Sequence, residues 1–86
     1  MEAEKKKVGV VTHFYNKINV AIVDLEDTLN EGDMIEISGP SSNVQMSADS
    51  IQIEHENVKT AKKGQSIGLQ VSGKVKEKDI VYKLVQ

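Results

Sequence analysis

Apolar and polar residues alternate at every second position over most of this chain, and helical spacing is weak throughout. In the segment 66–71, for example, Ile67, Leu69 and Val71 share one face. A period of two is that of a β-strand with one buried face. The pattern predicts seven short strands. These are Lys7–Phe14, Ile18–Leu25, Met34–Ser38, Val44–Ala48, Ser50–His55, Ser66–Val71 and Ile80–Val85.

Turn residues separate these segments. Asn16-Lys17 predicts a tight hairpin between the first two strands, and the run from Gly39 to Asn43 is the strongest loop signal. Gly32 and Gly64 each stand among polar residues, where glycine accepts the positive φ of a turn. Gly68 lies within a strand, where glycine often marks a bend or a close backbone approach.

The second predicted strand is apolar on both faces, which indicates that it is buried on both sides or central in the sheet. Short strands at intervals of about 8 to 12 residues are typical of a sandwich or a barrel. Closure is favoured because it removes exposed strand edges. The sequence therefore predicts an all-β fold, a small closed antiparallel β-barrel of about six to seven strands. Residues 7–86 would form this single domain, after a disordered, charged tail at residues 1–6.

The amino-acid composition excludes several kinds of site and segment. The 86 residues include no cysteine, which excludes disulfides, thiolate metal sites and a cysteine nucleophile. No apolar stretch has the length of a signal-peptide core or a membrane span, so the expected location is the cytoplasm, without a membrane partner.

Charge is unevenly distributed along the chain. The net charge is −2, but residues 18–56 hold nine acids and no lysine, whereas residues 57–86 hold seven lysines. The fold is thus expected to have an acidic side and a basic side. All eleven basic residues are lysine. The absence of arginine argues against reading of base edges.

Catalytic and metal-binding patterns are weak. His13 and His55 lack the converging ligands of a metal site, and two solvated histidines are the simpler interpretation. The sequence has no Gly-x-Ser-x-Gly elbow, no calcium-loop spacing and no phosphate-binding loop. It therefore predicts a protein that is not an enzyme and that uses no metal, cofactor or nucleotide.

Two sets of charged residues are candidates for binding. The basic set could contact a phosphate backbone, or could be ordinary surface lysine; it consists of Lys59, Lys62, Lys63, Lys74, Lys76 and Lys78. The acidic set could contact a protein partner, or could be a solvated face; it consists of Asp24, Glu26 and Asp27. Phe14 and Tyr15 could stack on a base, although core filling is the expected role of Phe14.

The order of these turns and strands resembles a known domain. Residues 28–37, with Gly32-Asp33 and Ile35, look like the "G-x-L-x-x-G-D-x-I" stretch in the second domain of translational GTPases such as elongation factor Tu. The run from Ala61 to Leu69 is similar to the "A-x-x-G-x-x-V-G-L" pattern of that domain. The similarity covers residues 7–85, except that the run from His13 to Asp27 replaces the usual "R-V-E-x-G" turn.

The resemblance implies a closed barrel without GTPase activity, since the nucleotide site of those factors lies in a separate domain. It implies a module associated with translation that contacts tRNA, ribosomal RNA or the ribosome. A similar barrel also occurs appended to collagenase-like peptidases. The alternative hypothesis is therefore a protein-interaction or accessory module that partners a larger enzyme such as a collagenase-like peptidase.

Overall fold

The computed structural model describes residues 4–40, 43–54 and 56–85. These residues form ten β-strands and no helix. The strands are β1 Glu4–Tyr15, β2 Val20–Leu25, β3 Leu29–Asn30, β4 Met34–Ser38, β5 Asn43–Ser47, β6 Ile51–Ile53, β7 Glu56–Val58, β8 Thr60–Ala61, β9 Ser66–Gln70 and β10 Ile80–Val85. Across these ranges, no helix has the length and apolar character needed to cross a bilayer.

Eight strands form one antiparallel sheet in the order β5-β4-β10-β1-β2-β9-β6-β7, and β3 pairs with β8 in a separate two-stranded ladder. The long strand β1 pairs with β10 along its first half and with β2 along its second half. Its register shifts between Lys7 and Gly9 and again between Val11 and His13. Such bulges increase local twist and bend the strand, so the sheet curves around its core.

The prediction of an all-β, antiparallel fold is confirmed, but the prediction of a closed barrel is wrong. Within the described residues, β5 and β7 are the two edges of the sheet, and they do not pair. The free side of β5 instead faces the chain after β9, where the Ser72 hydroxyl lies 3.8 Å from Met46 Sδ. A closed barrel requires a continuous ladder of backbone hydrogen bonds with matched strand tilt and stagger. The side-chain contact between Ser72 and Met46 is not such a ladder.

Most strand predictions agree with the structure to within one or two residues, and Met34–Ser38 and Ile80–Val85 agree at both ends. The tail is an exception. Residues 4–6 belong to β1 and pair with β10, so they are not a disordered tail, while residues 1–3 lie outside the described residues. His55, the predicted end of the fifth strand, and the loop residues Ser41 and Ser42 also lie outside them.

The turn predictions at Gly32 and Gly64 are confirmed, since their φ angles are 91° and 90°. The first hairpin is longer than predicted. Its turn runs through residues 16–19, and Asn19 adopts a positive φ of 55°. Asparagine tolerates this left-handed conformation better than most residues.

The core lies on the concave face of the sheet. Sixteen apolar side chains of the described residues are buried there, from every strand except β5 and β7 and from the connections. On β2, Ala21 and Val23 are fully buried, whereas Val20 and Ile22 are only half-buried on the opposite face. The predicted central position of this strand is confirmed, because β2 lies between β1 and β9. Its outer apolar face, however, remains partly open.

Candidate functional site

The three acidic candidates do not form a free negative surface. Glu26 pairs with Lys7 at 3.1 Å and Asp27 with Lys6 at 2.6 Å, both across the β1–β2 region. The hydrogen bond from Lys6, together with the backbone amide of Thr28, lowers the pKa of Asp27. Asp24 accepts a hydrogen bond from the Ser66 hydroxyl. The run of acids in the sequence is therefore partly neutralised by the lysines of β1.

The six basic candidates are all exposed, but they lie on different connections. Lys59, Lys62 and Lys63 flank β8, where the next residue, Gly64, donates its amide to the Leu25 carbonyl. The other three lie in the long connection between β9 and β10, which is attached to β1 by the bond from the Lys78 amide to the Val11 carbonyl. Among the ion pairs of residues 4–40, 43–54 and 56–85, none includes any of the six.

Of the two histidines, only His13 lies within the described residues. Its side chain is half exposed, and its Nδ1 lies 3.3 Å from Glu77 Oε2. The described part of the chain contains no group of three or more histidine, cysteine, aspartate or glutamate side chains that could hold a metal ion. Phe14 packs against the core, as expected, and Tyr15 is half exposed.

A polar cluster that the sequence analysis missed covers part of the outer face. Glu36 exposes only 4% of its surface, although strict alternation would leave it in solvent between Ile35 and Ile37. It accepts hydrogen bonds from Lys5 Nζ at 2.6 Å and from Gln45 Nε2 at 2.8 Å. These two donors, led by Lys5, lower the pKa of the Glu36 carboxyl. Lys5 also lies 5.3 Å from the ring centroid of Tyr82, and its own pKa is raised by Glu36.

A second missed residue, Asp79, is 2% exposed and precedes β10. Its Oδ2 accepts the amide of Lys76, which closes the turn at the end of the long connection. Its backbone carbonyl accepts the amide of Val11 at 2.8 Å. The side chain packs directly on Gly39, where a Cβ would lie 2.6 Å from Asp79 Cγ. A side chain at position 39 would therefore displace the Asp79 carboxylate, and the pair joins the end of β4 to the start of β10.

An uncovered apolar groove lies at the tip of the β1–β2 hairpin, and we call it the hairpin-tip groove. It has a volume of about 350 Å³, and its lining includes Tyr15, Ile18, Val20, Ile22, Gln52 and Gly68. Ile18 is 60% exposed and Tyr15 is 48% exposed. A second concavity of about 370 Å³, lined by residues 13–18, shares these two residues.

Strand register explains how the groove is built. Ile22 lies between His13 on β1 and Gly68 on β9, and Gln52 on β6 lies beyond Gly68. A Cβ on Gly68 would meet only ordinary contacts, the nearest being Val20 Cγ1 at 3.5 Å. The prediction of a close backbone approach at Gly68 was therefore wrong, and the bend stays a prediction. The glycine instead leaves the floor of the groove open.

We compared both the sequence and the fold of the chain with known proteins. No family model matches the chain. An uncharacterised protease of Methanocaldococcus jannaschii is 40% identical over 81 residues, which are 93% of this chain and 20% of that protein. A collagenase of Porphyromonas gingivalis is 33% identical over 82 residues, which are 93% of this chain and 23% of that protein. The chain thus spans about a fifth of the length of these relatives.

Solved structures show the same fold. The C-terminal domain of a Geobacillus thermoleovorans protein assigned to the U32 peptidases has a TM-score of 0.84 at 20% identity, with 91% of both chains covered. The selenomethionine variant of that domain has a TM-score of 0.83 at 19% identity, with 88% of this chain and 96% of that chain covered. At such identities the likeness concerns the fold alone.

These relatives are a protease and a collagenase, and they overturn the assignment to the second domain of translational GTPases. The translation-associated function, with tRNA, ribosomal RNA or the ribosome as partner, was therefore wrong. The quoted motifs are turns around Gly32 and Gly64 with apolar positions between them, which many antiparallel sheets share. The alternative of a module accompanying a collagenase-like peptidase fits the relatives better.

Proposed function

We propose that this chain is an accessory, non-catalytic β-domain of a collagenase-like peptidase system that acts by contact with protein. The observation that carries the proposal is its 40% identity, over 93% of its length, to a region that makes up 20% of a protease. A region of that size is typical of one domain attached to a larger enzyme.

The chemistry of the chain supports the non-catalytic part. It has no cysteine and no Gly-x-Ser-x-Gly elbow, and its described residues lack a cluster of metal-ligand side chains. The uncovered hairpin-tip groove is lined mainly by apolar residues, and exposed apolar patches favour protein contact. The cysteine-free composition also favours the cytoplasm as the location, which belongs to the same proposal.

The test uses the collagenase of Porphyromonas gingivalis as a host, because its substrate is stated in its name. Three proteins are compared for cleavage of collagen: the intact host, the host without the matched region, and a chimera carrying the 86-residue chain in that place. The 86-residue chain alone is the fourth sample. Circular dichroism verifies that each protein is folded.

We expect no cleavage by the chain alone, reduced cleavage by the deleted host, and recovery in the chimera. Collagen cleavage by the chain alone would contradict a non-catalytic role. Full activity of the deleted host, or a folded chimera no better than the deleted host, would contradict an accessory role.

A further inference from the structure

The hairpin tip presents an apolar side chain where a turn would ordinarily be polar. The turn residues are Asn16, Lys17, Ile18 and Asn19, and Ile18 is the most exposed large apolar side chain of the described residues, at 60%. Branched apolar residues are poor turn formers, since Asn, Asp, Gly and Ser provide the local hydrogen bonds. Neither local turn chemistry nor core packing accounts for an isoleucine here.

Hydrogen bonds from Gln70 and Val71 fix the backbone of the turn at Ile18 and Asn19. Gln70 Nε2 donates to the Ile18 carbonyl at 3.0 Å and to the Asn19 carbonyl at 3.3 Å, and the Val71 amide donates to the Asn19 carbonyl at 2.8 Å. The tip is thereby attached to the end of β9. A surface fixed in this way loses little conformational entropy when it binds, which is a feature of preorganised binding sites.

Tyr15, which also lines the groove, has a neighbouring ring packed against it. The His13 ring packs edge-on against it, with ring centroids 4.4 Å apart, and His13 contacts Glu77. The half-exposed Val20 and Ile22 continue the apolar surface from this rim into the groove. The groove, about 350 Å³, has room for one or two large apolar side chains.

The size of the surface indicates what kind of partner covers it. A fully buried aromatic side chain removes roughly 150–250 Å² from solvent, so the exposed parts of the tip and groove amount to roughly a few hundred Å². A stable complex of two free proteins buries about 800 Å² on each partner. A second copy of this chain would therefore be held too weakly, whereas a body linked to the domain binds at a high effective concentration.

In the relatives, such a linked body exists, because the matched region is only 20% and 23% of their chains. We infer that the hairpin-tip groove docks an apolar surface of the peptidase portion, with Ile18 and Tyr15 as the contacting side chains and the Gly68 floor receiving one side chain of the partner. Glu54, which lies at the rim, favours a basic group beside that side chain. This inference rests on the proposed function.

The test measures amide hydrogen exchange by mass spectrometry in the free 86-residue chain and in the collagenase chimera. Docking should slow exchange in residues 13–22 of the chimera by about tenfold or more relative to the free chain. Ile18→Lys should remove this protection, and Gly68→Leu should remove it independently by filling the groove. Met34→Lys is the matched control, because Met34 is an exposed apolar residue, at 48%, outside the groove.

The outcomes separate this inference from the proposed function. An active chimera whose residues 13–22 exchange as in the free chain, or whose protection survives both groove variants, would overturn the docking site and leave the accessory role intact. Protection that is already present in the free chain and increases with its concentration would assign the groove to a second copy, and would also overturn the inference. Loss of protection in Ile18→Lys and Gly68→Leu, with Met34→Lys unchanged, supports it.

Discussion

On the outer face of the sheet, a carboxylate is more deeply buried than an isoleucine. Glu36 exposes 4% of its surface beneath Lys5, Gln45 and Tyr82, whereas Ile18 exposes 60% at the hairpin tip. In the first region the buried carboxylate accepts hydrogen bonds from Lys5 on β1 and from Gln45 on β5. In the second, an apolar surface has no partner in the described chain. The difference shows that one region is completed by this chain itself, while the other is suited to completion by another body.

Two glycines provide the strongest contrast between these regions. Gly39→Ala should lower the free energy of unfolding by about 1–3 kcal/mol, because its Cβ would overlap the buried Asp79 carboxylate. Gly68→Ala should change it by only about 0.5 kcal/mol or less, because the groove is open there. Urea unfolding of both variants measures the difference. Equal losses in the two variants would contradict the contrast.

The covered region should also be sensitive to acid. Lys5 and Gln45 lower the pKa of Glu36 below its ordinary value of 4.5, so the folded state binds this proton less readily than the unfolded chain. The resulting stability is present above the unfolded pKa and is lost as pH falls through the lower folded pKa.

Unfolding midpoints measured from pH 7 to pH 3 should therefore fall less steeply in Glu36→Gln than in the parent. Glu31→Gln is the control for the general acid response, because it removes an exposed carboxylate that has no ion pair among the described residues. An unchanged acid slope in Glu36→Gln would show that the cluster makes no such contribution.

One substitution should weaken the attachment of the hairpin tip to the end of β9. Gln70→Ala deletes the donor to the Ile18 and Asn19 carbonyls, and should cost about 1 kcal/mol with faster amide exchange at residues 16–20. Gln52→Ala, which removes a single side-chain bond to Asn57, is the matched control. Slow exchange at the tip in Gln70→Ala would mean that the remaining bond from Val71 is sufficient.

The smallest change in the free energy of unfolding is expected for a substitution at the hairpin tip. Ile18→Lys should alter the free energy of unfolding of the isolated chain by no more than about 0.5 kcal/mol, because the side chain is mostly in solvent. Thermal unfolding beside the parent tests this expectation. A loss well beyond that amount would place Ile18 in the core and remove the contrast between the two regions.

Local alternation was sufficient to predict strands such as Met34–Ser38, because one buried face fixes a period of two. It failed where burial depends on distant strands. Glu36 is covered by Lys5, which is 31 residues away in the chain, and by Gln45 on β5. The alternation within residues 34–38 records neither contact. Closure was mispredicted for the same reason, since it depends on whether the two outermost strands meet.

The groove was only partly predictable. The apolar outer face of the second strand was visible in the sequence, and it was interpreted as burial on both sides. Ile18 was assigned to that strand rather than to the turn. An isoleucine between Lys17 and Asn19 was the available signal that an apolar residue is held at a polar turn.

The position of β10 in the sheet affects how the chain folds during synthesis. It is the last strand of the sheet in chain order, yet it lies between β4 and β1 and joins two groups of strands, β5-β4 and β1-β2-β9-β6-β7. During synthesis neither group can reach its final arrangement until residues 80–85 have left the ribosome. Pairing of residues 4–10 with 80–85 is also a long-range contact, which slows folding. The unit is therefore expected to fold late and in one step.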